Sequence, residues 1–355
     1  MLIDGLHVPL PIPFARDGRL FLSKLEANVR RYSLSPAAGL VALAPNSEAG
    51  SLSDAEARDV LDAVGSTAAA EKVLVAGISK NSVVQALTIA ALAEQSGFDA
   101  VLLAAPPRWP EMLRHSGSPA EIFNFFRTVA DNSPLPVLLW SDTATPWLGF
   151  SVETVASLAS HPNILGVYDA DLTPARLRDL LDRTRAQQFE ARVTSTFRPV
   201  TRRMQAANEA SAGQGSSLIP AAAIGSGAPV ATPRPAIKTR SRRLSFQIMS
   251  TGPASQVPEL LAAGLHGYMP ALAAPAPQSC HEVLAAFSDG DPALAAERAS
   301  RLTGGDTVLT ELGPAAVAYA CDLNGYYGGV PRLPLAMLSA QGRSRVDAAL
   351  RDLKN

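Results

Sequence analysis

The chain has 355 residues, of which 47% are hydrophobic and 18% are charged. This composition is typical of a soluble globular protein with at least one large core, and it excludes a disordered or fibrous chain. The formal net charge of -1 excludes a general electrostatic attraction to nucleic acid or to anionic membranes. No uncharged apolar run approaches the roughly 20 residues that cross a bilayer, and the N-terminus lacks the pattern of a signal peptide. We therefore expect a cytoplasmic protein in which Cys280 and Cys321 are free thiols.

Short apolar segments alternate with amphipathic segments along most of the chain. The predicted strands are Val8–Ile12, Gly39–Leu43, Lys72–Ile78, Asp99–Ala104, Val137–Trp140, Ile164–Tyr168, Phe246–Met249 and Gly267–Pro270. The predicted helices that follow them are Phe21–Tyr32, Ser53–Val64, Ser82–Gln95, Glu121–Ala130, Val152–Ser160, Ala175–Asp182, Val257–Ala263 and Ser279–Phe287. Strands that are apolar throughout are typical of a parallel sheet covered on both faces. Eight such units favour an α/β fold of the (β/α)8 TIM barrel type.

The end of the chain departs from this alternation and predicts a C-terminal helical extension. Three further helices are predicted near Leu294–Arg301, Thr310–Leu323 and Ala340–Leu353. The sequence thus divides into a barrel over residues 1–290 and a helical bundle over residues 291–355.

A basic insert at about residues 185–243 interrupts the barrel pattern between the sixth helix and the seventh strand. It contains ten Lys or Arg residues and two acidic residues, a formal charge of +8 that leaves -9 on the remainder of the chain. Its middle, Glu209–Ile237, is mostly Ala, Gly, Ser and Pro, and we expect it to be flexible. Arg192–Phe197 has strand character and could pair with Arg243–Phe246. An insert at this point would emerge at the N-terminal face of the barrel, opposite the usual site.

Several segments resemble the dihydrodipicolinate synthase / N-acetylneuraminate lyase family in order and spacing. They are Val8–Gly18, Ser47–Ser53, Ala76–Ser82, Leu158–Tyr168 and Gly328–Leu335. The resemblance covers nearly the whole chain except the insert. It implies a TIM barrel with a C-terminal helical extension, a homodimer or homotetramer, and a lyase that binds a 2-keto acid as a Schiff base.

The positions that resemblance assigns to catalysis are changed in this sequence. The lysine that would form the Schiff base at the end of the sixth strand is Tyr168, and a phenol cannot condense with a carbonyl. The proton-relay tyrosine that would end the fifth strand is Trp140, and an indole can only donate a hydrogen bond. The hydroxyl-rich loop that would hold the keto-acid carboxylate reads Ala44–Glu48, where Pro45 removes one N–H donor.

Two further family positions also lack their expected residues. The arginine expected after the fifth strand has no counterpart in Ser141–Pro146, and the tyrosine pair expected after the fourth strand is replaced around Pro106–Trp109. The nucleophile, the proton relay and the residues that would bind the carboxylate are all changed. We therefore assign no residue a catalytic role. The side chains expected near the C-terminal strand ends define a candidate pocket. They are Asn46, Ser47, Glu48, Lys80, Arg108, Trp140, Asp142, Tyr168 and Ser250.

Several of these side chains have two interpretations. Tyr168 is either an aromatic filler of the barrel or a hydroxyl donor to a ligand, and Lys80 is either a solvated loop residue or a relocated imine lysine. Asp169 and Asp171 either cap the following turn or serve as ligands or bases. Glu48, Asp142 and Asp169 could together bind Mg²⁺ or Mn²⁺, although no spacing is diagnostic.

The remaining candidates are weaker still. His7, His115, His161, His266 and His281 form no ligand motif, and we predict surface or packing roles for them. Trp109 and Trp147 either line the cavity mouth or pack against it.

The leading interpretation is a barrel of this family whose Schiff-base function is lost and which binds a small ligand or has a structural role. The alternative is an active carbon–carbon lyase on a pyruvate-like 2-keto acid, using Lys80 or a metal. We expect no cofactor, no bound metal and no membrane partner. Nucleic-acid binding through the insert is disfavoured because the insert has almost no aromatic residues for base stacking.

Overall fold

The computed structural model describes residues 1–45, 47–106, 119–141, 150–213 and 237–353. Eight parallel strands close into a barrel in the order β1-β10-β9-β6-β5-β4-β3-β2, and β7 and β8 form a separate antiparallel pair. The strands are β1 (Gly5–Pro9), β2 (Gly39–Ala42), β3 (Val73–Gly77), β4 (Ala100–Leu103), β5 (Val137–Ser141), β6 (Ile164–Asp169), β7 (Gln188–Thr194), β8 (Thr239–Ser245), β9 (Gln247–Ser250) and β10 (Gly267–Tyr268). The predicted (β/α)8 barrel is confirmed.

Helices cover the outside of the barrel and continue beyond its last strand. They are α1 (Leu22–Leu34), α2 (Asp54–Thr67), α3 (Val83–Gln95), α4 (Pro119–Asn132), α5 (Val152–Ala159), α6 (Pro174–Thr184), α7 (Arg202–Gly213), α8 (Val257–Ala262), α9 (Pro277–Ser288), α10 (Pro292–Leu312), α11 (Pro314–Leu323) and α12 (Ala340–Ala349). In the part of the chain that the structure describes, none of these helices has the length and apolar character needed to cross a membrane.

Polar side chains fix the starts of several helices where the sequence predicts them. Ser53 accepts a hydrogen bond from the backbone N–H of Glu56, whose carboxylate accepts from the Ser53 N–H, so the predicted capping box at α2 is confirmed. Ser82, Ser151 and Thr173 cap α3, α5 and α6 in the simpler one-bond form. These caps satisfy N–H groups that have no partner inside the helix.

The first strand lies earlier in the chain than its apolar run suggests. The prediction of Val8–Ile12 is wrong, because β1 runs from Gly5 to Pro9. Proline has no N–H to donate to a neighbouring strand, and Pro9 and Pro11 in the predicted run therefore limit its pairing.

The C-terminal helices differ from the prediction at their boundaries. The predicted helix Leu294–Arg301 is extended to Leu312, although Gly304 and Gly305 disfavour helix by intrinsic propensity. Gly305 is buried under Leu272 and Leu353, so tertiary packing accounts for the extension. The predicted single helix Thr310–Leu323 is wrong, because the chain turns at Gly313, whose φ is 69°, before Pro314 begins α11.

The two ends of the insert pair with each other, but the predicted pairing of Arg192–Phe197 with Arg243–Phe246 is wrong in register. Strands β7 and β8 are antiparallel, with Arg192 opposite Ser241 and Arg243 opposite Glu190, because the strand begins earlier, at Gln188, and turns after Thr194. Helix α7, which the sequence analysis missed, begins after Thr201, whose hydroxyl accepts from the backbone N–H of Met204. A Thr followed by helix-forming residues is the signal that could have predicted this helix. The predicted flexible middle of the insert lies mostly outside the described residues.

Helix α7 is bound to the N-terminal end of the barrel. Asp99, which precedes β4, is buried and accepts hydrogen bonds from the backbone N–H groups of Leu74 (2.9 Å) and Arg202 (2.6 Å). The Arg203 guanidinium donates to the backbone carbonyls of Gly97 and Lys72. The insert therefore covers the face opposite the C-terminal strand ends, as its position in the chain predicts.

Side chains on each barrel strand alternate between two cores. The outer core lies between strands and helices, and the inner core fills the barrel. The inner core consists of Ile3, Val41, Ala44, Val73, Val75, Ala100, Leu102, Ala104, Leu138, Trp140, Leu165, Tyr168, Met249 and Met269. Because a closed barrel of eight strands is just wide enough to be filled by side chains, these residues decide how much room remains at its C-terminal mouth.

The backbone is unusually tight where β2 and β3 end at this mouth. Leu43 has a positive φ of 53°, and its carbonyl oxygen lies only 1.8 Å from where a side chain on Gly77 would begin. Only glycine fits at position 77, because any Cβ would displace the backbone of the neighbouring strand end.

We expect Gly77→Ala to destabilise the protein by at least about 2 kcal/mol, since overpacking against backbone cannot be relieved by a rotamer change. Gly50→Ala is the matched control, because nothing lies within 4 Å of its Cβ position. Urea unfolding followed by circular dichroism measures both. Equal stability of the two variants would contradict this account of the strand ends.

Candidate functional site

A cavity of about 520 Å³ opens at the C-terminal mouth of the barrel. Strand ends form its floor, and α10 and α11 of the C-terminal extension form its roof. The lining residues are Pro45, Ser47, Trp140, Ala170, Thr251, Gly252, Pro253, Ala271, Asp306, Leu309, Thr310, Gly313, Pro314 and Val317. Cavities of this size and mixed lining are typical of small-molecule sites.

Asp306 is the ionisable side chain in this lining. It projects from α10, is 6% exposed, and accepts a hydrogen bond of 2.6 Å from the backbone N–H of Ala254, which begins a 3₁₀ turn after β9. Burial raises the pKa of the Asp306 carboxyl to about 7, and the Ala254 N–H offsets part of that rise. Asp306 therefore changes charge near neutral pH.

Tyr168 lies below the cavity, fully buried inside the barrel. Its hydroxyl is 2.6 Å from Nδ1 of His7, which projects inward from β1. Burial lowers the pKa of His7 to about 4, with a small opposing effect from the Asp4 backbone, and it raises the pKa of Tyr168 well above its usual range. Both rings are neutral at pH 7, and one hydrogen bond joins the tyrosine hydroxyl to Nδ1 of His7.

The register of the strands explains which other predicted residues face inward. Trp140 of β5 pairs with Tyr168 of β6, which pairs with Met249 of β9, and all three belong to the inner core. The next position on each strand points outward, because side chains alternate along a strand. Asp169 and Ser250 occupy these outward positions.

Asp169 and Ser250 are both occupied by local hydrogen bonds. The Asp169 carboxylate accepts two hydrogen bonds from the guanidinium of Arg176 and one from the backbone N–H of Asp171. The Ser250 hydroxyl accepts from the backbone N–H of Gly252. Asp169 therefore holds the turn after β6 against α6. This is the capping role, one of the two roles that the sequence analysis considered for Asp169.

Ser47 and Glu48 lie at the edge of the mouth and help to build a loop. The Ser47 hydroxyl donates to the carbonyl of Ala44 and accepts from the backbone N–H of Ala49. The half-buried Glu48 carboxylate accepts from the backbone N–H of Arg332, and burial raises its pKa.

The side chain of Arg332 holds the C-terminal segment against the barrel. Its guanidinium binds the Glu56 carboxylate and the carbonyl of Gly18, and it stacks over Phe14 with 4.2 Å to the ring centroid. This contact lowers the pKa of Glu56 to about 2. The segment around Arg332 is one of those that carry the family resemblance, and here its role is structural.

Lys80 is directed away from the cavity. Its ammonium forms an ion pair with the exposed carboxylate of Asp54, with 2.8 Å between Nζ and Oδ1. Asn46, Arg108 and Asp142 lie outside the described residues, as do Trp109 and Trp147. Among the predicted pocket residues that the structure describes, Ser47 and Trp140 line the cavity.

The burial of His7 inside the barrel agrees with the packing role among the two predicted for it. Asp306 was missed as a site residue by the sequence analysis. Asp306 carries only a weak signal, since it lies four residues after buried Leu302 and three before buried Leu309, on the apolar face of α10.

A sequence profile of the Dihydrodipicolinate synthetase family matches residues 2–188, which is more than half of the chain. The chain belongs to the dihydrodipicolinate synthetase family. The profile ends where strand β7 and the insert begin.

Proteins with related sequences extend the similarity over the full chain. The 4-hydroxy-tetrahydrodipicolinate synthase of Acidiphilium cryptum is 27% identical over 357 aligned positions, covering 99% of each chain. The enzyme of the same name from Neisseria meningitidis serogroup B is 24% identical, covering 99% of this chain and 98% of its own.

Solved structures of the family share the fold. Dihydrodipicolinate synthase from Bacillus anthracis superposes with a TM-score of 0.76 at 18% identity, with all of both chains covered. A prophage protein of the family from E. coli K12, in complex with pyruvate, gives a TM-score of 0.74 at 20% identity, with 99% of each chain covered. At these identities the comparison establishes the barrel and its helical extension.

The buried His7–Tyr168 pair predicts a specific pH dependence of stability. An unfolded histidine titrates near pH 6.5, whereas folded His7 titrates near pH 4, so between these values only the unfolded chain binds the proton. The free energy of unfolding should therefore fall as the pH falls through this window, by up to roughly 3 kcal/mol from this group.

The double variant His7→Leu/Tyr168→Phe should lose this dependence, because it removes both partners and leaves no unpaired polar group. Tyr168→Phe alone should cost about 1–3 kcal/mol at pH 7, since it leaves buried Nδ1 without its hydrogen-bond partner. Urea unfolding from pH 7 to pH 4.5 measures each protein. A constant difference between the wild type and the double variant over that range would contradict the assignment.

Proposed function

We propose that this chain is a family member without Schiff-base aldolase activity, whose cavity at the barrel mouth binds a small ligand. The observation that carries the proposal is Tyr168. It occupies the strand end that resemblance assigns to the lysine, and its hydroxyl is buried in a hydrogen bond to His7. A neutral phenol in that position can neither form an imine nor accept a proton near pH 7.

The neighbouring positions support the same proposal. Trp140 stands where resemblance places the proton-relay tyrosine, and its indole can only donate a hydrogen bond. Pro45 and Ser47 form the loop that would hold a substrate carboxylate, and the Ser47 hydroxyl already makes two hydrogen bonds within the loop. The family's chemistry would need all three positions to act together.

The alternative is a carbon–carbon lyase that uses Lys80 or a metal ion with a pyruvate-like keto acid. Against the lysine route, the Lys80 ammonium is paired with Asp54 and Lys80 is not among the residues that line the cavity. Against a site built from Glu48, Asp142 and Asp169, the Asp169 carboxylate is held by Arg176 on the outer side of the barrel. No observation favours either route over the leading proposal.

The basic insert does not change this proposal. Arg202 and Arg203 bind the barrel, while Arg240 and Arg242 stack on Phe197 with 3.5 Å and 4.8 Å to the ring centroid. These contacts give the arginines roles within the chain. A homodimer or homotetramer remains a proposal that comes from the family resemblance, and cytoplasmic location remains an expectation from the sequence.

Borohydride trapping tests the proposal directly. Incubation with pyruvate and a panel of 2-keto acids, followed by reduction, should leave the intact mass of the protein unchanged, because no lysine faces the barrel interior in the part of the chain described. An adduct with any keto acid would overturn the proposal.

Two controls make the trapping result decisive. A family enzyme that has the lysine at the end of its sixth strand must be trapped under the same conditions. The variant Lys80→Met identifies a relocated nucleophile, since an adduct that forms on the wild type and disappears in this variant lies on Lys80. Peptide mapping would place any other adduct.

A further inference from the structure

The Asp306 carboxyl is buried at the wall of the mouth cavity without a counter-ion. Its hydrogen-bond donor is the Ala254 backbone N–H, and no Lys or Arg side chain pairs with it among residues 1–45, 47–106, 119–141, 150–213 and 237–353. Every other buried aspartate in these ranges has an arginine beside it, Asp99 with Arg203 and Asp169 with Arg176. A carboxylate buried without a positive charge costs free energy that a cationic ligand would offset.

Among the residues that the structure describes, the groups around Asp306 do not supply that positive charge. Tyr268 of β10 and Cys280 of α9 are the titratable side chains that face it, and burial raises the pKa of both well above their usual ranges. The Tyr268 hydroxyl donates to the Cys280 backbone carbonyl instead of the carboxylate. Both groups are neutral at the pH where Asp306 ionises, so neither is a counter-ion for its carboxylate.

The rest of the cavity wall fits a small organic cation. Pro45, Pro253, Leu309 and Val317 provide apolar surface for a hydrocarbon body, and Trp140 adds an aromatic ring, which attracts cations through its face. The hydroxyl oxygen of Thr251, a lining residue, is enclosed and has no hydrogen-bond partner in the described part of the chain.

We propose that the mouth cavity binds a small hydrocarbon-bodied ammonium ion, with the Asp306 carboxylate as its counter-ion. The inference rests on the proposed loss of Schiff-base function, since it gives the same cavity a different ligand class. A keto acid would bring a second carboxylate toward Asp306, whereas a primary ammonium brings three N–H donors and a positive charge. The C-terminal extension, through α10, thereby supplies the recognition group.

Three ligands of matched shape and different charge test this proposal. Isothermal titration calorimetry at pH 8 would compare cyclohexylamine, cyclohexanol and cyclohexanecarboxylate on the full chain. We expect the amine to bind at least tenfold more tightly than the alcohol, and the carboxylate not to bind. Equal affinity for amine and alcohol, or preferential binding of the carboxylate, would overturn the inference.

The variant Asp306→Asn removes the charge and retains an oxygen that can accept from Ala254. It should weaken amine binding at least tenfold and leave alcohol binding unchanged. Asp322→Asn is the control, because Asp322 is an exposed aspartate of the same extension whose carboxylate also accepts from a backbone N–H, that of Gly328, and it lies outside the cavity lining. Equal loss in both variants, or no loss in Asp306→Asn, would count against the proposal.

The pH dependence of the unaltered protein tests the same carboxyl without any substitution. Because Asp306 must be ionised to pair with an ammonium, amine affinity should fall about tenfold from pH 8 to pH 6, while alcohol affinity stays constant. A flat amine profile would exclude Asp306 as the counter-ion. This measurement remains available if Asp306→Asn does not fold.

Failure of this inference can be separated from failure of the proposed function. A trapped keto-acid adduct would overturn the proposed function, and with it the ammonium site, whatever the calorimetry shows. Absence of an adduct together with absence of amine binding would leave the loss of Schiff-base chemistry standing and remove only the ligand class proposed here.

Discussion

Closure of the eight-stranded barrel is the constraint on which the rest of this structure depends. Once β1 pairs with both β2 and β10, every second side chain must fit into one narrow interior. Tyr168, Trp140 and Met249 fill that interior in one layer, and His7 satisfies the tyrosine hydroxyl. The volume and polarity of the mouth cavity follow from this filling, because the cavity begins where the layer ends.

The N-terminal face of the barrel is closed by the insert, whereas the C-terminal face retains a cavity. At the N-terminal face, the buried Asp99 carboxylate receives backbone N–H groups from both β3 and α7, so the insert closes that end. At the C-terminal face, α10 and α11 cover the strand ends but leave a cavity of about 520 Å³. Stability and candidate function therefore lie at opposite ends, as is general for this fold.

Two buried ionisable groups in this protein respond to pH in opposite directions. Burial lowers the pKa of His7, so the folded protein resists protonation of this ring. The free energy of unfolding therefore falls as the pH falls toward 4. Burial raises the pKa of Asp306, so its contribution to stability falls as the pH rises toward 7. His7 has a protein partner for its neutral form, whereas the ionised form of Asp306 has none among the described residues. That asymmetry is why Asp306 is assigned to a ligand and His7 to the core.

The sequence by itself determined the barrel, because alternating apolar strands and amphipathic helices are local patterns, and the capping box at Ser53 marks one helix start clearly. The order of residues also carries the resemblance that assigns the lysine position to Tyr168. Tertiary structure alone decided that Tyr168 meets His7, 161 residues away, and that Asp169 points outward to Arg176. It also decided that Asp306, from a helix far along the chain, faces the barrel mouth. Contacts of this kind depend on strand register and helix packing, which no local pattern encodes.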